Sequence, residues 1–499
     1  MKNIIIAILI SALLMAGCAP ASAPATAIPA VADSPAAATE SSPTAITTSQ
    51  AAASTATIKP TQVVAAVTAE AASAAQGEPA PLAEFADATT IALGETIAVA
   101  GPGAVNVKVK GHVVTIAAGG AYLISGKLAD GQIIVDSQDK KTVTLALNGA
   151  DLACSTSAPL YIAAAKAAEI VLVDGSENRL ADGETYVYAE ADEDEPNATL
   201  FSKDDLTIRG DGSLEVEARY HDAITSKDDL AIASGAITVV SVNDGIRGRD
   251  RLEITGGVIA VTAAGDGLES NNDQDADKGV VTIENAAIAV VAGEDAIEAE
   301  TRVAIRSGHL TLTTGGGSAN SSSQGKEWGR WGPGARSQSA PTAEAEGDSA
   351  KGIKAEAELT LSGGTFIIDS SDDALHSSGD LTINGGAFDV ASGDDGAHAD
   401  GQVAINGGQI VISRSYEGIE GAQIVIADGE LHIVSSDDGL NVAGGVDGSA
   451  LGGRPGQGGF SASGNQYLEI NGGYIAVEAN GDGLDINGAI TMSGGVVLV

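Results

Sequence analysis

The chain has 499 residues, with 26 Lys and Arg against 67 Asp and Glu, so its formal net charge is −41 at pH 7. This acidic balance argues against nucleic acid or anionic lipid as the partner and favours cations. Aromatic residues make up 3% of the chain and 64 residues are glycine, a composition that suits stacked thin strands joined by tight turns.

The N-terminus is typical of an exported lipoprotein. A short positive segment is followed by an apolar run over residues 4–15 and by small residues before Cys18, which predicts a signal peptide over residues 1–17. The apolar run is too short to remain as a membrane span. Residues 14–18 resemble a lipobox, so we expect lipidation of Cys18, membrane attachment only through that lipid, and a bacterial cell-surface location. An ordinary secretory signal with an incidental Cys18 is the alternative.

The rest of the chain divides by composition. Residues 18–76 are rich in Ala, Ser, Thr and Pro and are predicted to be a tether. Residues 77–196 are strand-rich but irregular and are predicted to be atypical first turns, and residues 197–499 form a regular repeat interrupted at 315–349 and 444–464. Since the repeat stops in mid-pattern, we expect a truncated C-terminus or one capped by a partner.

An acidic residue followed by a small and an aliphatic residue recurs with a period near 22. The intervals from Asp222 to Asp244 and from Asp244 to Asp266 are both 22 residues. We call these positions the acidic column: Asp222, Asp244, Asp266, Asp295, Asp373, Asp395, Glu417, Asp438 and Asp482, with Lys351 in one turn. A repeat of this length without a helical period indicates a coiled parallel sheet.

Two further columns follow from the same alignment. Two places after the acid stands an aliphatic residue, which we expect to fill the interior: Ile224, Ile246, Leu268, Ile297, Ile353, Leu375, Ile419, Leu440 and Leu484. One place further comes the polar column: Thr225, Arg247, Glu269, Glu298, Lys354, His376, His398, Glu420, Asn441 and Asp485. Because this position is polar and variable, we expect it to face solvent.

Pairs of short strands around Gly-Gly lie between the acidic positions, as in the segments over residues 359–368, 381–390 and 403–412. Apolar residues alternate within each strand, and Gly-Gly supplies the backbone freedom for a bend. The predicted fold class is therefore all-β, a right-handed parallel β-helix with turns of about 22 residues.

Stacked carboxylates predict bound cations. Neighbouring acids about 5 Å apart would repel each other by roughly 3 kcal/mol at an effective dielectric of ~20, and Ca²⁺ is the hard cation suited to such oxygen ligands. The predicted calcium ligands are Asp222, Asn243, Asp244, Asp266, Asn271, Asp273, Asp295, Asp373 and Asp395. The alternative is that Asp and Asn only shape tight turns through local hydrogen bonds.

Exposed aromatic and basic residues are the candidates for sugar contact. Trp328 and Trp331 lie in the first insertion, and indoles stack on the apolar faces of sugars. Arg247 and Tyr416 are weaker candidates. A loop whose indoles touch nothing specific is an equally open interpretation.

Several repeated phrases resemble a family of secreted bacterial carbohydrate-binding β-helix proteins. They are Ser202-Lys-Asp-Asp-Leu-Thr-Ile, Asn243-Asp-Gly-Ile-Arg-Gly, Ser371-Asp-Asp-Ala-Leu-His-Ser, Ser415-Tyr-Glu-Gly-Ile-Glu-Gly and Gly481-Asp-Gly-Leu-Asp. The resemblance covers about residues 88–499 and implies a fold related to pectate lyases, calcium sites, and binding of cellulose and polygalacturonate without established catalysis. Lys351 departs from the pattern.

Three functions remain open on the sequence. The first is polysaccharide binding at the cell surface, with cellulose or a polygalacturonate-like glycan as partner and Ca²⁺ as cofactor. The second is a calcium-dependent polysaccharide lyase, which would need a basic residue to abstract a proton; the candidates are Lys203, Lys227, Arg247, Arg249 and Arg414. The third is a structural stalk or adhesin without a glycan ligand.

Overall fold

The computed structural model describes residues 80–188, 190, 192–321, 349–442 and 466–499. Across these residues the chain is all-β, with one sheet of 41 strands, mostly parallel, and three short 3-10 helices at Leu82–Phe85, Ala104–Asn106 and Ser318–Asn320. All of them lie in one compact unit, residues 58–499. Within the described ranges no helix is long and apolar enough to cross a membrane.

The N-terminal part contains ten strands of uneven length. They are β1 Thr89–Leu93, β2 Ala98–Ala100, β3 Val107–Lys110, β4 Val113–Ile116, β5 Gly120–Leu128, β6 Gln132–Asp136, β7 Val143–Cys154, β8 Leu160–Ala164, β9 Ala168–Leu172 and β10 Glu177–Asp182. Two antiparallel pairs, β1 with β2 and β3 with β4, occur only here among the described strands. Cys154 at the end of β7 is buried and forms no disulfide.

The regular repeat supplies the remaining strands. Before the gap at 322–348 they are β11 Ala198–Ser202, β12 Leu206–Arg209, β13 Ser213–Glu217, β14 Asp222–Ser226, β15 Asp229–Ile232, β16 Ala236–Ser241, β17 Ile246–Gly248, β18 Arg251–Ile254, β19 Val258–Ala263, β20 Leu268–Ser270, β21 Val280–Ile283, β22 Ala286–Ala292, β23 Ile297–Ala299, β24 Arg302–Ile305 and β25 Gly308–Thr314. After it they are β26 Ile353–Ala355, β27 Glu358–Leu361, β28 Thr365–Ser370, β29 Leu375–Ser377, β30 Asp380–Ile383, β31 Ala387–Ser392, β32 Ala397–Ile405, β33 Gln409–Arg414, β34 Ile419–Ile426, β35 Glu430–Ser435, β36 Leu440–Val442, β37 Tyr467–Ile470, β38 Tyr474–Ala479, β39 Leu484–Ile486, β40 Ala489–Met492 and β41 Val496–Leu498.

Each strand in the middle of the repeat pairs in parallel with the strand three further along the chain. β14, β17, β20, β23, β26 and β29 follow one another in this way, and so do the two strands that come after each of them. β23 pairs with β26 across the gap at 322–348. Residues about one repeat apart therefore lie side by side, as the alignment of the sequence predicts.

The aliphatic column forms the interior. Ile246 pairs with Leu268, Leu268 with Ile297, and Ile297 with Ile353, and these four side chains are fully buried. Burial of an aliphatic side chain contributes about 1.5–3 kcal/mol, so this ladder is a large source of stability. The predicted inward direction of the aliphatic column is confirmed by this burial.

The Gly-Gly bends need glycine at their second position. Gly364, Gly386 and Gly408 have φ angles of 108°, 116° and 108°, a region that side chains with a Cβ avoid. A Cβ on Gly364 or Gly408 would also lie 3.0 Å from the carbonyl oxygen of the equivalent glycine one turn earlier. The repeat is therefore maintained by backbone stacking at these bends.

The expectation that the polar column faces solvent is wrong. Thr225, Glu269, His398, Glu420 and Asn441 are buried, and the other members of the column are only partly exposed. The physical reason is local in several turns, where the side chain three residues after the acid bends back to that acid. Arg247 reaches Asp244 in this way, and His398 reaches Asp395, while parallel neighbours cover them from the turns on either side.

Candidate functional site

The acidic column is a ladder of hydrogen bonds between turns. The backbone N–H of Asp266 donates to Asp244 Oδ1 at 3.1 Å, and that of Asp295 donates to Asp266 Oδ1 at 2.9 Å. Further along, the N–H of Asp395 donates to Asp373 Oδ1 at 2.9 Å. One oxygen of these acids therefore has a structural role between turns, unlike the local hydrogen bonds of the turn-shaping interpretation, and the second oxygen is left to face the polar column.

Cations satisfy the acid at the start of this column. Asp222 is fully buried and forms ion pairs with Arg247 and His221. Asn243 Nδ2 donates to Asp222 Oδ1 at 2.8 Å. Although burial would raise the pKa of Asp222, His221 and Arg247 outweigh it and lower the pKa. The structure thus brings the predicted calcium ligands Asn243 and Asp222 together, but Asp222 is paired with the guanidinium group of Arg247.

Five carboxylates then follow with few cations. We call this group the Asp266 cluster: Asp244, Asp266, Glu269, Asp295 and Glu298. Ligand oxygens of Asp244, Asp266 and Glu269 lie within 4.8 Å of one another, and so do those of Asp266, Asp295 and Glu298. Arg247 contacts the cluster at one end and Lys354 at the other. Among the described residues, no basic group lies within 4.0 Å of Asp266.

The electrostatics of the Asp266 cluster are unfavourable without a bound cation. Burial, together with repulsion from Glu298 and Asp295, raises the pKa of Asp266 to about 10. Burial also raises the pKa of Glu269 to about 8, against the lowering effect of Arg247. Glu269 Oε2 is buried without a hydrogen bond, 3.5 Å from Arg247 Nη1. At neutral pH the cluster must bind either protons or a metal ion.

The acidic column has balanced charge at the turn of Asp373. Lys351 Nζ lies 3.4 Å from Asp373 Oδ2, and His376 Nδ1 lies 2.8 Å from the same oxygen. Burial would raise the pKa of Asp373, but Lys351 and His376 hold it far below its usual range. The lysine that breaks the sequence pattern at position 351 therefore neutralises the next acid.

The polar column again carries a histidine one turn later, His398 beside His376. His398 Nδ1 lies 3.2 Å from Asp395 Oδ2 and 3.4 Å from Glu420 Oε2, and its Nε2 lies 3.2 Å from Asp400 Oδ1. We call Asp395, His398 and Glu420 the His398 cluster; their ligand atoms lie within 4.8 Å of one another. Its members are all buried. The imidazole of His376 stacks on that of His398, with ring centres 5.0 Å apart.

Five of the nine predicted calcium ligands lie outside both clusters: Asp222, Asn243 and Asp373, described above, and Asn271 and Asp273. Asp273 is exposed and accepts a hydrogen bond from Gln274 Nε2 at 2.6 Å, and Asn271 lies in the same irregular segment. The neighbouring Asn272 donates instead to Asp250. Calcium binding by Asn271 and Asp273 stays a prediction.

The predicted sugar-contacting and lipidated residues fall into two groups. Trp328, Trp331 and Cys18 lie outside the described residues. Arg247 is engaged by the carboxylates of Asp222, Asp244 and Glu269, and sugar contact by this residue stays a prediction. Tyr416 is partly buried, and this burial together with Asp437 raises its pKa.

Two of the basic residues considered for a lyase are already paired. Lys203 and Lys227 both contact Glu195, at 3.2 and 2.7 Å. Together with the triple ion pair of Arg247, these contacts engage three of the five candidates with carboxylates. A general base must accept a proton, so this arrangement does not favour them in that role.

A groove of about 440 Å³ lies on the strands β7, β10, β13 and β16. Its lining is polar, with one guanidinium group, three carboxylates and several small side chains: Asp151, Glu177, Asn178, Arg179, Ser213, Leu214, Glu215, Ala236 and Thr238. Arg179 is held between Asp151 and Glu217. Such carboxylates are hydrogen-bond acceptors, and their overall charge is negative.

Sequence reasoning missed the polar column as part of the site. Glu269, Glu298, His398 and Glu420 were expected in solvent, yet they face the acids. The signal was present in the sequence, because a titratable residue stands three places after most of these acids. Variability at that position marks a change of buried side chain from turn to turn rather than exposure to solvent.

Stacked parallel strands with buried carboxylates along one bend define a repeat protein with candidate cation sites. A family model described as "Carbohydrate-binding domain-containing protein" matches residues 110–396, more than half of the chain. The chain therefore belongs to the carbohydrate-binding domain-containing protein family.

Two comparisons cover smaller parts. A carbohydrate-binding domain-containing protein of Acetivibrio thermocellus is 40% identical over 126 residues, which are 25% of this chain and 44% of that relative. The chain thus spans less than half of the relative's length. A solved structure of a polysaccharide lyase-like protein from C. thermocellum, a gadolinium derivative, is 34% identical with a TM-score of 0.45, covering 46% of this chain and 92% of the other.

Proposed function

We propose that this chain binds polysaccharide, cellulose or an acidic pectin-like glycan, at the surface of a bacterial cell. The observation that carries the proposal is membership of the carbohydrate-binding family, which the match over residues 110–396 establishes. The signal sequence and the lipobox-like residues before Cys18 support export and lipid anchoring. Replacing Cys18 by Ser should release the protein from the membrane fraction if the lipid is its anchor.

The fold that we propose for this role is a right-handed parallel β-helix. Parallel pairing of each strand with the strand three further along, as for β17, β20 and β23, supports a coil with three strands in each turn. Right-handed crossovers strongly predominate between parallel strands. A coil of this kind presents long, regular faces on which a polymer can lie.

Calcium is the cofactor that we propose, centred on Asp266. Its neighbours Glu269 and Glu298 add carboxylate oxygens from the polar column, and Asp244 and Asp295 add those of the adjoining turns. Ca²⁺ takes six to eight oxygen ligands at about 2.3–2.6 Å in flexible geometry, which suits carboxylates from three successive turns. The absence of a basic group within 4.0 Å of Asp266, among the described residues, supports a cation there.

The polar groove is the surface that we propose for the glycan. The carboxylates of Asp151, Glu177 and Glu215 can accept hydrogen bonds from sugar hydroxyls, and Ala236 and Thr238 leave room for a ring. Its volume falls in the usual range for ligand sites, about 300–1,000 Å³. Since the groove is anionic, a neutral glucan should bind unaided, whereas an acidic glycan should need bridging calcium.

Pull-down on insoluble cellulose and on pectate gel, with calcium or with a chelator, tests this function. We expect retention on cellulose under both conditions and retention on pectate only with calcium. Ala236→Trp should fill the groove and abolish retention, whereas Ala387→Trp should not; Ala387 also follows a glycine of positive φ and begins a strand, but lies outside the groove.

The same pull-down can refute the proposal at two levels. Failure of the native protein to bind either polymer would contradict polysaccharide binding itself. Binding that Ala236→Trp leaves intact would reject the groove alone. An unsaturated product released from pectate would instead identify a lyase.

A further inference from the structure

We propose that the His398 cluster is a second metal site, distinct in chemistry from the calcium site, that binds a divalent transition-metal ion of the zinc class through His398 Nδ1, Asp395 Oδ2 and Glu420 Oε2. His398 and Glu420 lie beyond the residues matched by the family model. The proposal is independent of polysaccharide binding.

The two distances from His398 Nδ1 fit a tetrahedral ion, and the third ligand pair lies within 4.8 Å. Bonds of about 2.0–2.1 Å to nitrogen and oxygen place tetrahedral ligands about 3.3–3.4 Å apart, and Nδ1 lies 3.2 and 3.4 Å from the two carboxylate oxygens. Charge-assisted N–H···O bonds are shorter, about 2.7–2.9 Å. A single Nδ1–H can also point at only one of the two acids.

The neighbouring histidine shows what an ordinary contact looks like in this fold. His376 occupies the same position one turn earlier, and its Nδ1 lies 2.8 Å from Asp373 Oδ2. In that turn Lys351 already neutralises the acid, at 3.4 Å from Asp373 Oδ2. Only His398 therefore combines two acids at ligand spacing, within the part of the chain that the structure describes.

The far side of the imidazole provides an independent observation. His398 Nε2 lies 3.2 Å from Asp400 Oδ1, so the ring can donate its second N–H to a carboxylate while Nδ1 binds metal. Metal-binding histidines almost always have such a partner, which fixes the tautomer and the ring orientation. Asp400 is partly exposed, whereas His398 is 1% exposed.

A spare acceptor lies on the other side of Glu420. Asn441 follows Glu420 in the polar column, its Nδ2 lies 3.5 Å from Glu420 Oε1, and its Oδ1 is buried without a hydrogen bond. Three protein ligands leave a fourth position for water on a zinc-class ion, and this amide oxygen can accept a hydrogen bond from ordered water nearby.

Imidazole is the ligand that separates this site from the Asp266 cluster. Calcium and magnesium prefer oxygen ligands, whereas imidazole suits zinc and its first-row neighbours. A metal ligand must be deprotonated, so Zn²⁺ and a proton compete for His398 Nδ1.

Titration calorimetry with Zn²⁺ in saturating calcium, and absorption spectroscopy with Co²⁺, test the site on the full chain. We expect a Zn²⁺ site that calcium does not displace and the intense visible bands of tetrahedral Co²⁺. His398→Gln and Glu420→Gln should remove both signals. His376→Gln is the matched control and should keep them.

Circular dichroism would show whether His398→Gln folds. If it does not, a substitution at the partly exposed Asp400 still tests the site. Asp400→Asn should weaken Zn²⁺ binding about 10- to 100-fold, the usual effect of losing such a partner. Unchanged zinc binding in His398→Gln, displacement of zinc by calcium, or equal loss in His376→Gln would each overturn the proposal.

Discussion

The Asp266 cluster and the His398 cluster occupy the same two columns of the repeat but differ in the residue that faces the acid. In the first, Glu269 and Glu298 add negative charge to Asp266; in the second, His398 adds an imidazole beside Asp395. The backbone stacking is the same in both: the N–H of Asp295 donates to Asp266, and the N–H of Asp395 donates to Asp373. The comparison shows that the repeat backbone positions the acids while one side chain per turn sets the chemistry around them.

The largest expected effect concerns the interior that the two clusters share. Leu268→Ala and Ile419→Ala each remove a fully buried aliphatic side chain beneath one cluster. We expect each to lower the free energy of unfolding by about 2–5 kcal/mol, measured by denaturant unfolding in chelator. A loss below about 1 kcal/mol in either variant would contradict the shared core.

Replacing Asp266 by a neutral residue should distinguish the two clusters by their effects on stability and on the response to calcium. Asp266→Asn keeps an oxygen for the N–H of Asp295 but no longer has to take up a proton on folding at neutral pH, so we expect about 1–3 kcal/mol of stabilisation in chelator. The rise of the melting temperature with calcium should disappear. Asp482→Asn, at an exposed position of the same column, should stay within about 0.5 kcal/mol of the native protein. A calcium response that survives Asp266→Asn would place the ion elsewhere.

The pH dependence of stability should reveal the same cluster. A carboxyl group whose folded pKa exceeds its unfolded value, near 4, binds more protons when folded, so its contribution to stability falls as pH rises. The pKa is about 10 for Asp266 and about 8 for Glu269 without metal. In chelator the free energy of unfolding should therefore decrease from about pH 4 to about pH 10. Denaturant unfolding at several pH values measures this decrease. The same dependence of the free energy of unfolding on pH in Asp266→Asn and in the native protein would contradict the prediction.

The smallest effect is expected outside both clusters. Glu195 holds Lys203 and Lys227 at a partly exposed site, and such pairs contribute about 0.2–1 kcal/mol each. Glu195→Gln should therefore lower stability only slightly, by thermal unfolding, and leave the responses to calcium and zinc unchanged. A changed metal response would show that the clusters extend further than their ligands.

The sequence predicted the fold better than the site. The period near 22 aligned Ile246, Leu268 and Ile297 correctly, because a parallel stack places equivalent residues side by side. It also identified Asp222, Asp244 and Asp266 as one column, whose alignment the register of the neighbouring strands confirms.

The direction of the polar column required tertiary information. Whether Glu269 or His398 points to solvent depends on bending back to the acid three residues earlier and on cover from adjacent turns, and neither is encoded in local alternation. Neutralisation of Asp373 by Lys351 likewise joins two turns. Lys351, which departs from the acidic repeat, therefore balances the charge of Asp373 in the next turn.

Anomalous diffraction from crystals grown with both calcium and zinc, recorded on either side of the zinc absorption edge, is the most direct test of two chemistries on one repeat. We expect a zinc peak beside His398 Nδ1 and a calcium ion within the Asp266 cluster, with no zinc there. Zinc in the Asp266 cluster, or no ion in either cluster, would contradict the assignment.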